Sequence, residues 1–335
     1  MKTFMKKNWF VCVLIVLFTG ISVYYIYDTN KGKLKGKTSN GEGVVYSVGD
    51  TDVTASAFYD KLYETSGNST IYDMIKTAVA EQSVETTEEM KTNAASQASS
   101  IISNYASSYP TNYRDILDSQ LKSLGYKGFD DLEAYLINYF KQNELTAGYA
   151  KEHFDDLKIR NISYILVKFE NGDSGEGTPT EDEQARMDAA DKALSEGTFE
   201  DAAKEHSEDT TSAPSGGVLG TLDANTTTLD QAFLDASLAL KEGEVSDWVY
   251  SSNFGYFKIK CNASTHEGLV KAYKEQNSLP EENEVTDAEV YAGLLGTYDT
   301  TLTDKVMFEK AEELGLTFAD EETEKTVRAI AGMEE

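Results

Sequence analysis

Residues 9–27, WFVCVLIVLFTGISVYYIY, carry no charged side chain, and that run constrains where the rest of the chain can fold. As a helix it would rise about 28 Å, close to the hydrocarbon thickness of a bilayer. Lys2, Lys6 and Lys7 precede it, and Tyr24, Tyr25 and Tyr27 close it like an interfacial aromatic belt. A cleavable signal would have a shorter apolar run and a small-x-small exit, so the pattern favours an uncleaved anchor. The leading lysines put the amino terminus inside and everything from residue 28 outside. Lys31, Lys33, Lys35 and Lys37 on the other flank blunt that charge bias.

The chain beyond the run must fold in an extracytoplasmic setting without staples. The two cysteines are Cys12, inside the run, and Cys261, far beyond it, so no intramolecular disulfide is expected. Gram-positive-type export suits that economy. A formal charge of −28 excludes nucleic acid as a partner, because neutralising phosphates takes clustered Lys and Arg. His153, His206 and His266 are isolated from one another in sequence, which with the two cysteines argues against a zinc site. The acidic groups Glu281, Glu282 and Glu284, and Glu321, Glu322 and Glu324, lack the spacing of a calcium loop and read as solvated faces. No cofactor or metal is expected. The sequons at Asn68, Asn161, Asn225 and Asn262 read as chance in a Ser- and Thr-rich chain.

Residues 212–220, SAPSGGVLG, pose a narrower question. A glycine loop that cradles phosphate opens onto a helix with a following Lys and Ser or Thr. Gly216–Gly217 is followed by Val218, Leu219, Gly220 and Thr221, with no lysine in reach, so the phosphate reading fails. The surrounding pattern has to explain the loop.

Residues 28–43 are polar and glycine-rich, a flexible stalk. Two short strands around a Gly49–Asp50 turn come next, then a helix capped by Thr54 with an apolar stripe of Phe58, Tyr59, Leu62 and Tyr63. Further helices are expected at 70–82, 86–106, 112–124 and 129–153. Leu132, Tyr135, Leu136 and Tyr139 form a packing stripe on the last of these. After Lys158 the pattern changes. RNISYILVKF is a β-branched strand, and two helices come after it, one ended by Gly197 and one capped by Thr198. The glycine loop then leads into a strand, the helix LDQAFLDASLALKEGE, and the strand pair DWVY and FGYFKIKC. The tail from 264 to 335 returns to acidic helices, clearest over Val306–Leu314.

This middle segment resembles the parvulin type of peptidyl-prolyl isomerase. The matching pieces are ISYILV at 162–167, GTFEDAAKEHSED at 197–209, SGGVLG at 215–220, LDQAFLDASLALKEGEVSDWV at 229–249 and FGYFKIK at 254–260, all in the family's order. The resemblance gives the glycine pair its role: a tight turn into a strand bordering the peptide cleft. The flanks resemble the PrsA-type extracellular foldases and the related periplasmic chaperones. The implied fold is α+β: a membrane-anchored helical lobe built from both terminal segments, with an inserted four-stranded sheet wrapped by helices. The implied division is a cytoplasmic tail at 1–8, the anchor at 9–27, the stalk at 28–43, a helical chaperone region at 44–157, the isomerase domain at 158–262 and a C-terminal helical segment at 263–335.

The implied function is isomerisation of X-Pro bonds in unfolded or nascent exported polypeptides, by a single-pass membrane protein whose bulk lies outside. A homodimer stays open. Two rival readings also stay open: a non-catalytic peptide-binding chaperone with a degenerate domain, and an acidic scaffold with no folding role. The resemblance assigns pocket roles to Leu229 and Phe233, the polar position to Asp209, and substrate contacts to Gly217, Leu219, Ser252 and Phe254. Where the family commonly places two histidines, this chain has Tyr164 and Phe257. Tyr164 can still donate and accept a hydrogen bond and Phe257 can do neither, so weak activity is expected. His206 replaces a usual aromatic and is expected partly buried. Phe199, Ala202, Leu238, Leu240 and Val245 are the expected core.

Overall fold

The computed structural model describes residues 37–169, 177–294 and 301–333 and divides into two compact units, Met1–Gly67 and Asn68–Glu335. The apolar run 9–27 lies outside the described residues. Among those described, no helix is long and apolar enough to cross a membrane.

In the first unit, strands β1 (Thr38–Ser39), β2 (Glu42–Val48) and β3 (Thr51–Thr54) form an antiparallel meander. Asn40 and Gly41, both with positive φ, make the first turn, and the expected Gly49–Asp50 turn joins β2 to β3. Thr54 caps α1 (Ala55–Leu62) as its spacing predicts, its hydroxyl accepting from the Ala57 amide at 3.3 Å. None of the α1 residues is buried.

The second unit opens with four helices: α2 (Asn68–Ser83), α3 (Glu88–Ser108), α4 (Tyr113–Ser123) and α5 (Leu132–Glu152). All four lie within a few residues of their expected spans. Leu132 and Leu136 of the predicted stripe are buried, while Tyr139 is 39% exposed at its edge. The chain returns to this lobe after the sheet through α9 (His266–Gln276), α10 (Asp287–Val290), α11 (Leu302–Glu313) and α12 (Glu321–Ile330); α6 to α8 belong to the sheet region between. One apolar cluster joins Val79 of α2 and Ala147 and Ala150 of α5 to Leu269, Tyr291, Leu302 and Met307. Another joins Tyr72 to Phe308 and Val327. The Tyr72 hydroxyl donates to the Asp304 carbonyl at 3.2 Å, and burial raises its pKa well above the usual phenol value. Segments more than two hundred residues apart therefore share one core.

Between them lies a four-stranded antiparallel sheet in the order β5-β4-β7-β6: β4 (Arg160–Lys168), β5 (Val218–Leu222), β6 (Val249–Ser251) and β7 (Gly255–Ala263). The two-residue period of a strand sorts its faces. Ile162, Tyr164 and Leu166 of β4 face α8 (Gln231–Ala239) together with Phe257, Ile259 and Cys261 of β7. Ile165 faces α6 (Glu181–Glu196) and α7 (Phe199–His206), packing on Ala190, Phe199, Ala202 and Ala203. Thr198 caps α7 through the Asp201 amide at 3.1 Å. Gly197 ends α6, in extended rather than left-handed backbone.

Two expectations need correction. Helix α8 stops at Ala239, because Leu240 adopts extended backbone and its carbonyl accepts from Arg160 Nε at 3.0 Å. Val245 is 42% exposed, not core. Its neighbour Ser246 turns inward, where the Ser246 hydroxyl accepts from the Ile259 amide at 3.0 Å, so alternation sends Val245 outward opposite Lys260. Leu238 is half-buried; Phe199, Ala202 and Leu240 are buried. His206 is partly buried, as expected.

Candidate active site

The glycine loop sets the position of the first wall. Gly216 and Gly217 both take left-handed backbone, at φ 73° and 79°. The Gly217 amide donates to the Ser212 carbonyl at 2.9 Å, and its carbonyl accepts from the Tyr164 amide at 2.8 Å. A side chain at 217 would run into the Tyr164 carbonyl oxygen and lie 3.0 Å from Ala203 Cβ. Only glycine admits so close an approach of loop to strand. The pair makes a turn into β5, not an anion cradle.

Beside it stand three rings. Tyr164 packs edge-to-face on Phe233 of α8 at 5.5 Å and on Phe257 of β7 at 5.7 Å, and Phe233 meets Phe257 at 4.9 Å. Such pairs each add about 0.5–1.5 kcal/mol beyond their burial. Phe233 is 3% and Phe257 6% exposed, and Leu219 and Leu229 are half-buried against the same cluster. Phe254, half exposed at the β6–β7 turn, tilts onto Phe257 at 6.0 Å, and Ser252 is exposed beside it. Tyr164, Leu219, Leu229, Phe233, Phe254 and Phe257 thus gather on one sheet face, with Gly217 against the Tyr164 backbone.

The polar side is built on Asp209. The segment before it is strapped to β4: the Glu208 amide donates to the Leu166 carbonyl at 2.8 Å, and Ser207 Oγ accepts from the Leu166 amide at 3.1 Å. Arg186 holds Glu208 at 2.5 Å. Asp209 Oδ2 then accepts from the Tyr164 hydroxyl, from Ser212 Oγ at 2.5 Å and from the Ser212 amide at 3.1 Å. Its other oxygen accepts from the Thr211 amide at 3.3 Å. Partial burial pulls this carboxyl upward, but the hydrogen bonds from Ser212, Tyr164 and the two amides outweigh it and hold the pKa below the usual value. Asp209 is both a turn carboxylate and the partner of Tyr164. Because Tyr164 gives its only proton to Asp209, its hydroxyl can enter any further hydrogen bond only as an acceptor.

Sequence reasoning missed three residues: Ser212, which donates to Asp209, and the pair Asp230 and Ser251, whose side chains meet at 2.8 Å between the start of α8 and the end of β6. The first could have been found from the Asp-x-x-Ser spacing of a local side-chain turn, and Asp230 from its place just before a helix. Ser251 carries no local signal.

Residues 164–263 match the rotamase family described as the PPIC-type PPIase domain. This segment belongs to the parvulin family. Foldase protein PrsA of Clostridium botulinum is 39% identical over 107 residues, which is 31% of this chain and 26% of that protein. Foldase protein PrsA 1 of Lactobacillus johnsonii is 23% identical over 313 residues, 90% and 94% of the two chains. A Staphylococcus aureus PrsA is 31% identical over 215 residues, 56% and 66%. The match thus spans about a quarter of the Clostridium relative's length and nearly all of the Lactobacillus one's. Among solved structures, PrsA from Bacillus subtilis aligns over 84% of this chain and 97% of its own at 23% identity, with a TM-score of 0.31.

Proposed function

We propose that the protein is a parvulin-type peptidyl-prolyl isomerase and foldase that acts on unfolded, exported polypeptides outside the membrane. The observation that carries this reading is the Tyr164–Phe233–Phe257 box with Asp209 bonded to Tyr164 at its edge. Turning an X-Pro bond means crossing a barrier of about 18–20 kcal/mol, and no bond to the enzyme is needed. The planar amide is more polar than the twisted one, so an apolar enclosure lowers the barrier by disfavouring the ground state. Leu229, Phe233 and Phe257 take the proline ring, and Leu219 and Phe254 border the peptide. Gly217 holds the loop close enough for the cleft to form, and Ser252 lies on its rim. Asp209 supplies fixed negative charge and Tyr164 an acceptor next to the amide. Residues 9–27 anchor the chain in the membrane with its bulk extracytoplasmic, as a single-pass protein.

The test is a proline-isomerisation assay on the full-length chain with an X-Pro tetrapeptide. Weak but measurable turnover is expected, because the two positions the family gives to histidine are Tyr164 and Phe257. Restoring them together, Tyr164→His with Phe257→His, should raise the rate. No turnover in either form, with chaperone assistance intact, would replace the enzyme reading with a peptide-binding chaperone. Mass spectrometry of the membrane fraction should find the complete amino terminus; a mature chain starting near residue 28 would sink the anchor.

A further inference from the structure

Asp230 stands between the two walls of the cleft. One of its oxygens caps α8, accepting from the Ala232 and Phe233 amides at 3.1 and 3.3 Å. The other accepts from Ser251 Oγ at 2.8 Å and from Asn253 Nδ2 at 3.4 Å. Ser251 is the last residue of β6 and only 2% exposed, and its hydroxyl also accepts from the Asn253 amide at 3.3 Å. A single carboxylate therefore ties the helix that carries Phe233 to the hairpin turn that carries Ser252 and Phe254. Leu229 immediately precedes it. Nothing else about Asp230 requires the second set of bonds, since a cap needs only one oxygen.

We propose that Asp230 is a positioning residue that sets the width of the proline cleft, holding the Phe254 turn at a fixed distance from Phe233 through Ser251. This rests on the isomerase reading of the same cleft. An exposed ring at the tip of a two-strand turn keeps its place only if something fixes the turn, and a charge-assisted bond to a buried hydroxyl does so. Loosening the turn weakens ground-state and transition-state binding alike, because the wall touches the peptide and not the twisting bond. The signature is thus a change in KM with kcat held.

The experiment uses the full-length chain and the peptide Ala-Leu-Pro-Phe. Ser251→Ala removes the shorter of the two bonds from the turn to Asp230, leaving the 3.4 Å Asn253 bond and the α8 cap in place; Ser251→Thr keeps the hydroxyl. With the Asn253 bond still in place, the expected loss is that of an ordinary hydrogen bond, about a fivefold weakening. Ser251→Ala should therefore raise KM about fivefold with kcat nearly unchanged, and Ser251→Thr should return KM close to the starting value. Amide exchange across residues 251–255 should quicken in Ser251→Ala, while the α8 amides stay protected. An unchanged KM in folded Ser251→Ala, a fall in kcat instead, or unchanged exchange over 251–255 would each overturn the clamp. Absence of turnover in the parent chain would overturn the isomerase reading alone. The affinity for the same peptide, read by fluorescence, then decides the clamp, with a fivefold loss in Ser251→Ala supporting it and equal affinity refuting it.

Discussion

Gly217→Ala measures how closely the glycine loop must approach β4, and Gly243→Ala is its control. Both glycines take left-handed backbone, at φ 79° and 81°, so alanine at either position carries the same conformational cost of about 1–2 kcal/mol. They differ in their surroundings. A Cβ at 243 meets nothing within 4 Å, whereas one at 217 collides with the Tyr164 carbonyl oxygen and crowds Ala203. To reach the ~3.5 Å of an ordinary contact the loop must retreat from the strand. That retreat strains the 2.8 Å bond from the Tyr164 amide to Gly217 and the 2.9 Å bond from Gly217 to Ser212. Overpacking of this kind costs about 1–3 kcal/mol on top of the backbone term. Gly217→Ala is therefore expected to destabilise by about 2–5 kcal/mol in all, and Gly243→Ala by about 1–2. Denaturant unfolding read through Trp248 reports the difference, since that indole is packed against the same helices and bonded to Asp191 at 3.0 Å. The two partners that Gly217 touches, Tyr164 and Ser212, both hold Asp209, so Gly217→Ala should also slow isomerisation more than Gly243→Ala does. Two variants within about 0.5 kcal/mol of each other, inside the usual scatter of surface changes, would refute the close-approach argument.

The same geometry sets three further outcomes. Phe199→Ala should cost about 3–5 kcal/mol in the same unfolding assay, because the ring is 6% exposed between α7 and the sheet; a cost near zero would mean α7 is not packed there. Asp209 has a lowered pKa when folded, so its contribution is complete above the unfolded value of about 3.9 and is lost as pH falls through the lower folded value. The stability gap between the parent and Asp209→Asn should accordingly close as pH drops below about 4, and a constant gap would contradict the hydrogen-bonding account. In kinetics, Asp209→Ala should lower kcat by up to about 10² with little change in peptide affinity, whereas Phe233→Ala should abolish binding itself; parallel losses in both would merge the two roles.

The parts of the fold written in local chemistry were readable from the sequence. Thr54 and Thr198 cap the helices that their spacing announces, and the alternation of RNISYILVK sorts Ile162, Tyr164 and Leu166 onto one face. The features that escaped depend on partners distant in sequence. Helix α8 stops early because Arg160, eighty residues before Leu240, takes the Leu240 carbonyl, and no propensity encodes that. Val245 is core in the pattern that the resemblance implies, yet Ser246 takes the inward position through one bond from the Ile259 amide. The tie between Asp230 and Ser251 joins a helix start to a strand end across 21 residues and is visible only once both are placed. Leu229, Phe233 and Phe257 are apolar, and burial gathers them onto one face of the sheet.

On the isomerase reading, Tyr164 and Phe257 in place of the two histidines that the resemblance implies alter the balance of the site more than its shape. Phe257 fills its position with a ring that meets Phe233 at 4.9 Å, so the two rings close that part of the sheet face. Tyr164 fills the other and commits its proton to Asp209, so it has none left to give to an amide nitrogen or carbonyl. On the isomerase reading, the polar contribution then comes from a fixed carboxylate and an accepting phenol, with no donor of the imidazole kind. Desolvation survives such an exchange, because it depends on the rings and not on which heteroatoms line them. Transition-state hydrogen bonding does not survive it intact. On the isomerase reading, a cleft of this composition keeps its grip on proline and gives up part of its rate. On that reading the grip contributes on its own: a proline held in the cleft beside Phe233 and Phe257 is withheld from aggregation whether or not its bond has turned.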